Sequence, residues 1–280
     1  MKVQVLSPVW GNEDQDLYSF MNLIDSKGYD GLDTWIPTKK NDYLALIDYR
    51  NNRDFFLVAH QHQADGSTFK KFLRSFAKQL CECEKIIPNL INSHTGRDYF
   101  TTTQFLDLIY VAEDFSAKSG ITVLHETHRG RMGYCPQMIA ELFEKNSNFL
   151  ITADFSHWTC VTESMLENFK EVLDEAIRRT RHVHARIGFE QGPQVPDPRA
   201  PEWQYAVDKF LTWWDKIYAV NKTIGTETLS FTTEFGPFPY MPVFPYTVEP
   251  VAVQFEVNCF IKDLLRNRYI SDPSPNFNIR

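Results

Sequence analysis

Eight short apolar runs alternate along this chain with stretches of helical periodicity, and that alternation restricts the fold more than any other feature. The runs lie at Val3–Leu6, Gly31–Trp35, Phe55–His60, Leu90–His94, Ile121–Glu126, Phe149–Asp154, His182–Ile187 and Leu229–Phe235. Amphipathic stripes with apolar residues three and four apart fall between them, as helices require. Leu17, Phe20, Met21 and Ile24 form one stripe, and Phe69, Phe72, Leu73, Phe76 and Leu80 another. Others begin at Phe105, Leu166, Phe210 and Val253, whereas Asp42–Tyr49 is short and poorly patterned. Eight βα units in 280 residues predict an α/β chain closed into a (β/α)8 TIM barrel rather than an open doubly wound sheet. No GxGxxG or Walker loop follows a run, which removes the commonest nucleotide-binding folds.

The length suits one domain, read here as residues 1–268 with a polar, proline-containing tail over 269–280. A net charge of −7 argues against a nucleic-acid or anionic-membrane partner, either of which favours a basic face. Met1 leads directly into the first run without a basic segment or a long apolar stretch, and no segment approaches the ~18 apolar residues of a membrane helix. Five cysteines are odd in number, and Cys81-Glu82-Cys83 lacks metal-knuckle spacing. They are read as reduced thiols, which predicts a cytoplasmic protein.

The chemistry gathers at the ends of the late runs, in LHETHRGR, ADFSHW, HVHARIG and TTEFGP. Glu126, Asp154, His184 and Glu234 each end an apolar run, and these runs are the fifth to the eighth. All eight histidines lie between His60 and His184, in or just after such runs. A lone glutamate at a strand end is ordinarily a solvated rim residue. Four oxygen and nitrogen donors on consecutive strands meet at the C-terminal face of a barrel, where such folds build their sites. Three carboxylates and one imidazole suit a divalent ion such as Mn, Co, Mg or Zn.

This succession of Glu, Asp-x-x-His, His and Glu resembles the xylose isomerase-like barrels, the superfamily of sugar phosphate isomerases/epimerases, ketose 3-epimerases and hydroxypyruvate isomerase, which also includes the endonuclease IV repair enzymes. The resemblance runs from Val3 to about Leu265. It implies one divalent metal ion held by Glu126, Asp154, His184 and Glu234, with Glu126 and Glu234 also the catalytic acid/base pair. Chelation of a hydroxy-ketone would acidify the intervening C–H and stabilise an enediolate. His157 matches the family's substrate-binding histidine. Arg186, two residues past His184, is a candidate donor to a substrate hydroxyl or phosphate, and Arg129 and Arg131 are further anion-binding candidates.

His60 and His94 end the third and fourth runs, where the endonuclease branch holds additional zinc ions. That branch also has an Asp-x-His pair after the seventh strand, and this chain has Asp197-Pro198-Arg199 instead. His60 and His94 are therefore read as donors lining a sugar pocket. His62 and His128 are read as rim residues, and His125 and His182 either face outward or support the ligands from behind. Trp10, Trp35, Trp158 and Phe235 are candidate apolar walls for the C–H faces of a sugar, with Trp10 and Trp158 counted as substrate-binding. The loop Gly188–Trp203 contains four prolines and two glycines, which suits a lid or wall over the site. Aromatic Gly236–Pro245 would extend the wall or form a contact within a homo-oligomer.

The expected activity is isomerisation or epimerisation of a small sugar, keto-sugar or sugar phosphate through a metal-stabilised enediolate. A dehydratase or lyase acting on a keto-inositol or keto-sugar would use the same residues. An endonuclease IV-like phosphodiesterase lacks its last histidine here and a basic face. A non-catalytic sugar-binding barrel would not need both Glu126 and Glu234.

Overall fold

Each apolar run becomes a parallel strand in the computed structural model, which describes residues 1–270. The strands are β1 (Lys2–Pro8), β2 (Gly31–Thr34), β3 (Phe56–Gln61), β4 (Leu90–Ser93), β5 (Thr122–Glu126), β6 (Ile151–Ala153), β7 (Thr180–His184) and β8 (Thr228–Thr232). Each pairs with its sequence neighbours, and β8 pairs with β1 from Lys2↔Thr228 to Leu6↔Thr232, closing the barrel.

The helices are α1 (Leu17–Ser26), α2 (Lys40–Asn52), α3 (Phe69–Glu84), α4 (Thr102–Ser119), α5 (Pro136–Lys145), α6 (Phe155–Thr162), α7 (Lys170–Arg179), α8 (Gln204–Thr223) and α9 (Gln254–Tyr269). Local chemistry marks several ends. Thr101 and Gln104 cap α4 reciprocally, and Gly120 ends it at φ 74°. Pro136 opens α5, where its missing N–H costs no helical bond. The poorly patterned Asp42–Tyr49 stretch is helical, within α2. Helices α5 and α6 were not anticipated from the apolar pattern. The expected tail begins where α9 ends, and residues 271–280 lie outside the described residues. No helix among the described residues is long and apolar enough to cross a membrane.

Strand alternation divides the core. Val5, Leu57, Ile91, Val123, Val183 and Phe231 belong to the large cluster packed under the helices. Their strand neighbours Leu6, Val58, Leu90 and Leu124 form a separate cluster inside the barrel. Two residues further along their strands, the same inward face becomes polar at Asn92 and Glu126, joined by Asp33 and His184 from β2 and β7. The apolar cluster is thus the floor of a polar chamber.

Leu124→Ala removes part of that floor beneath Glu126. A cost of about 2–5 kcal/mol is expected, measured as a lower urea midpoint at unchanged slope.

Candidate metal centre

The chamber sits at the C-terminal ends of the strands. Glu126 ends β5 and His184 ends β7, while Asp154 and Glu234 follow β6 and β8 by one and two residues. Asp154 also caps α6, its Oδ1 accepting from the Ser156 N–H at 3.1 Å, which leaves Oδ2 to face the chamber. His157 follows within the first turn of that helix, so the Asp-x-x-His spacing brings both side chains to one place. His157 Nε2 is 3.4 Å from Asp154 Oδ2.

One donor atom from each of Glu126, Asp154, His184 and Glu234 lies within 4.8 Å of the others. All four residues are buried, with Glu126 and His184 each 1% exposed. His184 Nδ1 is 2.8 Å from Glu234 Oε2 and 3.5 Å from Glu126 Oε2. Neither His184 Nδ1 nor Glu126 Oε1 has a hydrogen-bond partner. Leaving a buried polar atom unpaired costs about 1–3 kcal/mol, so these atoms fit a ligand better than a structural role. Three carboxylates and an imidazole that converge in this way can bind a metal ion.

Asp33, on the inward face of β2, was not singled out from sequence. Its Oδ2 lies 3.1 Å from His184 Nε2 and accepts from Thr232 Oγ1 at 3.0 Å. A carboxylate only accepts, so His184 donates to Asp33 from Nε2, and its other ring nitrogen, Nδ1, faces the cluster. Burial would raise the Asp33 carboxyl, but hydrogen bonds from His182 and His184 hold it well below the usual carboxylate range. Asn92, also missed, donates to Glu126 Oε2 at 2.6 Å.

The other candidates divide clearly. A cavity of about 180 Å³ adjoins the cluster and is lined by Trp10, Trp35, His60, His62, His94, His128, Arg186, Glu234 and Tyr240, among others. Arg186 is 1% exposed and ion-pairs with Asp154 and, at 3.0 Å, with Glu234. Its Nη1 has no partner. The guanidinium lies 4.7 Å from the Tyr240 ring centroid and 5.6 Å from that of Trp10. His94 Nε2 is 3.0 Å from Glu126 Oε2, and His60 Nε2 is 3.8 Å from the same oxygen.

Several expectations need correction. Trp158 does not reach the cavity: it is fully buried on α6, stacks on Phe155 and donates to the Gly133 carbonyl at 2.8 Å. Phe235, beyond the end of β8, is also buried away from the cavity, its backbone N–H and carbonyl held by Asn258 of α9. His62 and His128 line the cavity rather than only its rim. Of the two placements expected for His125 and His182, His125 takes the outward one, against Phe149, and His182 the inward one, 3.7 Å from Asp33. No residue of the loop Gly188–Trp203 lines the cavity. Gln194 from that loop instead holds both the N–H and the carbonyl of Gly236, bracing the segment that carries Tyr240. Arg129 stacks over Tyr240 at 5.1 Å, and Arg131 has a buried Nη1 without a partner.

No protein-family model matches the chain, and no curated protein sequence does. Solved structures do match. The 3-keto-D-glucoside 4-epimerase YcjR from E. coli is 11% identical, with a TM-score of 0.63 over 95% of this chain and 100% of its own. The probable 3-DHS dehydratase AsbF from Bacillus anthracis is 14% identical, with a TM-score of 0.61 over 95% and 99%. A xylose isomerase-like TIM barrel protein from Mycobacterium smegmatis, in complex with magnesium, is 8% identical, with a TM-score of 0.55 over 94% and 97%. This chain has the fold of the xylose isomerase-like TIM barrels. Identities this low speak to the fold alone.

Two predictions follow from these contacts. Asp33→Ala should weaken divalent-metal binding by about 10–100-fold, and Asp33→Asn, which keeps an acceptor, should weaken it less, both read by competition with a chelating indicator. Burial pushes His60 down to about 4 and His125 down to about 3, from 6.5. The unfolded chain therefore binds these protons at higher pH than the folded one, and stability falls as pH drops below 6.5. His184 is raised by its carboxylate neighbours despite burial and works in the opposite direction. The depressed groups are more numerous, so acidifying the metal-free protein from about pH 7 to pH 4 is expected to lower its urea midpoint.

Proposed function

We propose that the protein is a divalent-metal-dependent isomerase or epimerase of a small sugar, keto-sugar or sugar phosphate. The observation that carries this reading is the convergence of Glu126, Asp154, His184 and Glu234 within 4.8 Å, beside a cavity walled by Trp10, Trp35 and Tyr240. A divalent ion held by these four residues would supply a Lewis acid to a substrate carbonyl.

The protein's own groups account for binding and proton transfer. Burial pushes the Glu234 carboxyl above its ordinary value, against the pull of Arg186 and His184. Glu126 is driven the other way: burial opposes the shift, but the imidazoles of His94 and His184 hold it well below the usual range. Two carboxyls with opposite tendencies divide the work, one ionised to accept a proton and one able to hold and return it. Glu234 forms part of the cavity wall, and Glu126 lies behind His94. Arg186 Nη1 and the imidazoles of His60 and His94 offer donors to hydroxyls, while Trp10 and Tyr240 exclude water from one side.

The test is solvent-deuterium exchange over a panel of ketoses, keto-sugars and inososes, run beside metal analysis. Deuterium at a carbon next to the carbonyl, without loss of water, supports this reading, and exchange with dehydration makes the protein a lyase. Glu234→Gln is expected to lower the exchange rate by about 10²–10⁴-fold. A purified protein that retains no metal after reconstitution would overturn the proposal.

A further inference from the structure

We propose that the substrate is a two-part molecule, a keto-sugar bonded to a second hydroxyl-rich group of the glycoside type, and that this second group lies in the groove beyond Trp35. The inference rests on the proposed reaction and narrows its substrate.

The cavity beside the carboxylates is small. At about 180 Å³ it falls below the roughly 300–1,000 Å³ usual for a ligand site. It has room for the reacting ring and little more. A second cavity, of about 480 Å³, adjoins it, and Trp35, His60 and His62 line both. Trp35, His60 and His62 thus stand at the shared boundary of the two spaces, and the second group of the proposed substrate would cross it beside Trp35.

The second cavity is a built groove. Residues 35–38, just after β2, form one bank, and the end of β3 with the middle of α3 forms the other. Gln79 on α3 accepts from Gln61 Nε2 at 2.8 Å and from the Gln63 backbone N–H at 3.1 Å, pinning the segment that carries His62. The Trp35 and His62 rings lie 5.4 Å apart, tilted by 55°, at the junction. An aromatic face at that point suits the C–H face of a sugar. His60 Nε2 and His62 Nδ1, both on the β3 bank, are buried without hydrogen-bond partners.

The lining also selects among occupants. Gln63, Ser75, Gln79 and Thr38 supply amides and hydroxyls. Glu82 is committed to Lys85 at 2.6 Å, which leaves Lys78 as the one cation in the lining. Ile36, Pro37 and Cys83 add apolar surface; an acyl chain there would leave the amides and hydroxyls unpaired, and a nucleotide diphosphate would require several cations. A neutral polyhydroxylated ring matches the donors and acceptors present. A further cavity of about 220 Å³ also meets Trp35, but it is lined by Glu13, Asp42 and Lys39 and lacks the imidazoles.

The experiment compares deuterium uptake on matched pairs, a free keto-sugar and the same keto-sugar carrying a second sugar in glycosidic linkage. The glycoside is expected to have the higher kcat/KM, by about tenfold or more, mainly through KM. Ser75→Trp fills the groove from α3 and Thr38→Trp fills it from the opposite bank, so one blocked variant remains if the other fails to fold. Either should abolish the preference and leave the free keto-sugar rate unchanged. Equal or better turnover of the free sugar overturns the groove assignment and leaves the reaction intact. Absence of exchange on every compound counts against the reaction. Calorimetry with an unreactive disaccharide and its monosaccharide then decides the groove: tighter disaccharide binding that the Trp variants lose supports it, and equal or undetectable binding of both overturns it.

Discussion

The contact between His184 and Asp33 sets the direction in which the whole centre faces. Imidazole has two nitrogens, and only one can point at the carboxylates of Glu126, Asp154 and Glu234. With Nε2 held 3.1 Å from Asp33 on β2, Nδ1 is turned toward them, 2.8 Å from Glu234 Oε2. Asp33 is itself fixed by Thr232 from β8, so three strands, β2, β7 and β8, cooperate to aim one ring. Barrel closure between β1 and β8 brings β2 and β8 close enough for this arrangement.

Burial makes charge the governing term at the centre. Asp33, Glu126, Asp154 and Glu234 are buried in one chamber with one arginine, Arg186, among them. Like charges at low dielectric repel strongly, and each unpaired carboxylate loses its hydration. Arg186 offsets part of this through Asp154 and Glu234, and His184 is pulled toward its protonated form for the same reason. A divalent cation at the four-donor cluster would complete the balance. The centre therefore has an electrostatic reason to bind a metal that is independent of any resemblance.

The sequence carried the barrel and the four-donor cluster because both depend on short-range pattern: an apolar run, then a chemical residue at its end. What was missed depends on other kinds of information. Asp33 lies within Gly31–Trp35, and only inward parity across the barrel shows that it faces the chamber. Tyr240 sits in Gly236–Pro245, expected as an extension of the wall, but that connection has no periodicity, so the approach of this one ring to Arg186 could not be read. Trp158 was misassigned because α6 begins directly after Asp154. Along a helix His157 and the next residue diverge by about 100°, so one enters the centre and the other the core. A similar rule on β5, with its period of two, separates outward His125 from inward Glu126.

Anomalous diffraction at the manganese edge, from crystals grown with Mn²⁺, addresses the central claim most directly. The account predicts a strong peak in bonding contact with His184 Nδ1 and with carboxylate oxygens of Glu126, Asp154 and Glu234. A map with manganese elsewhere and none at this cluster would contradict it, as would a metal bound to His184 through Nε2.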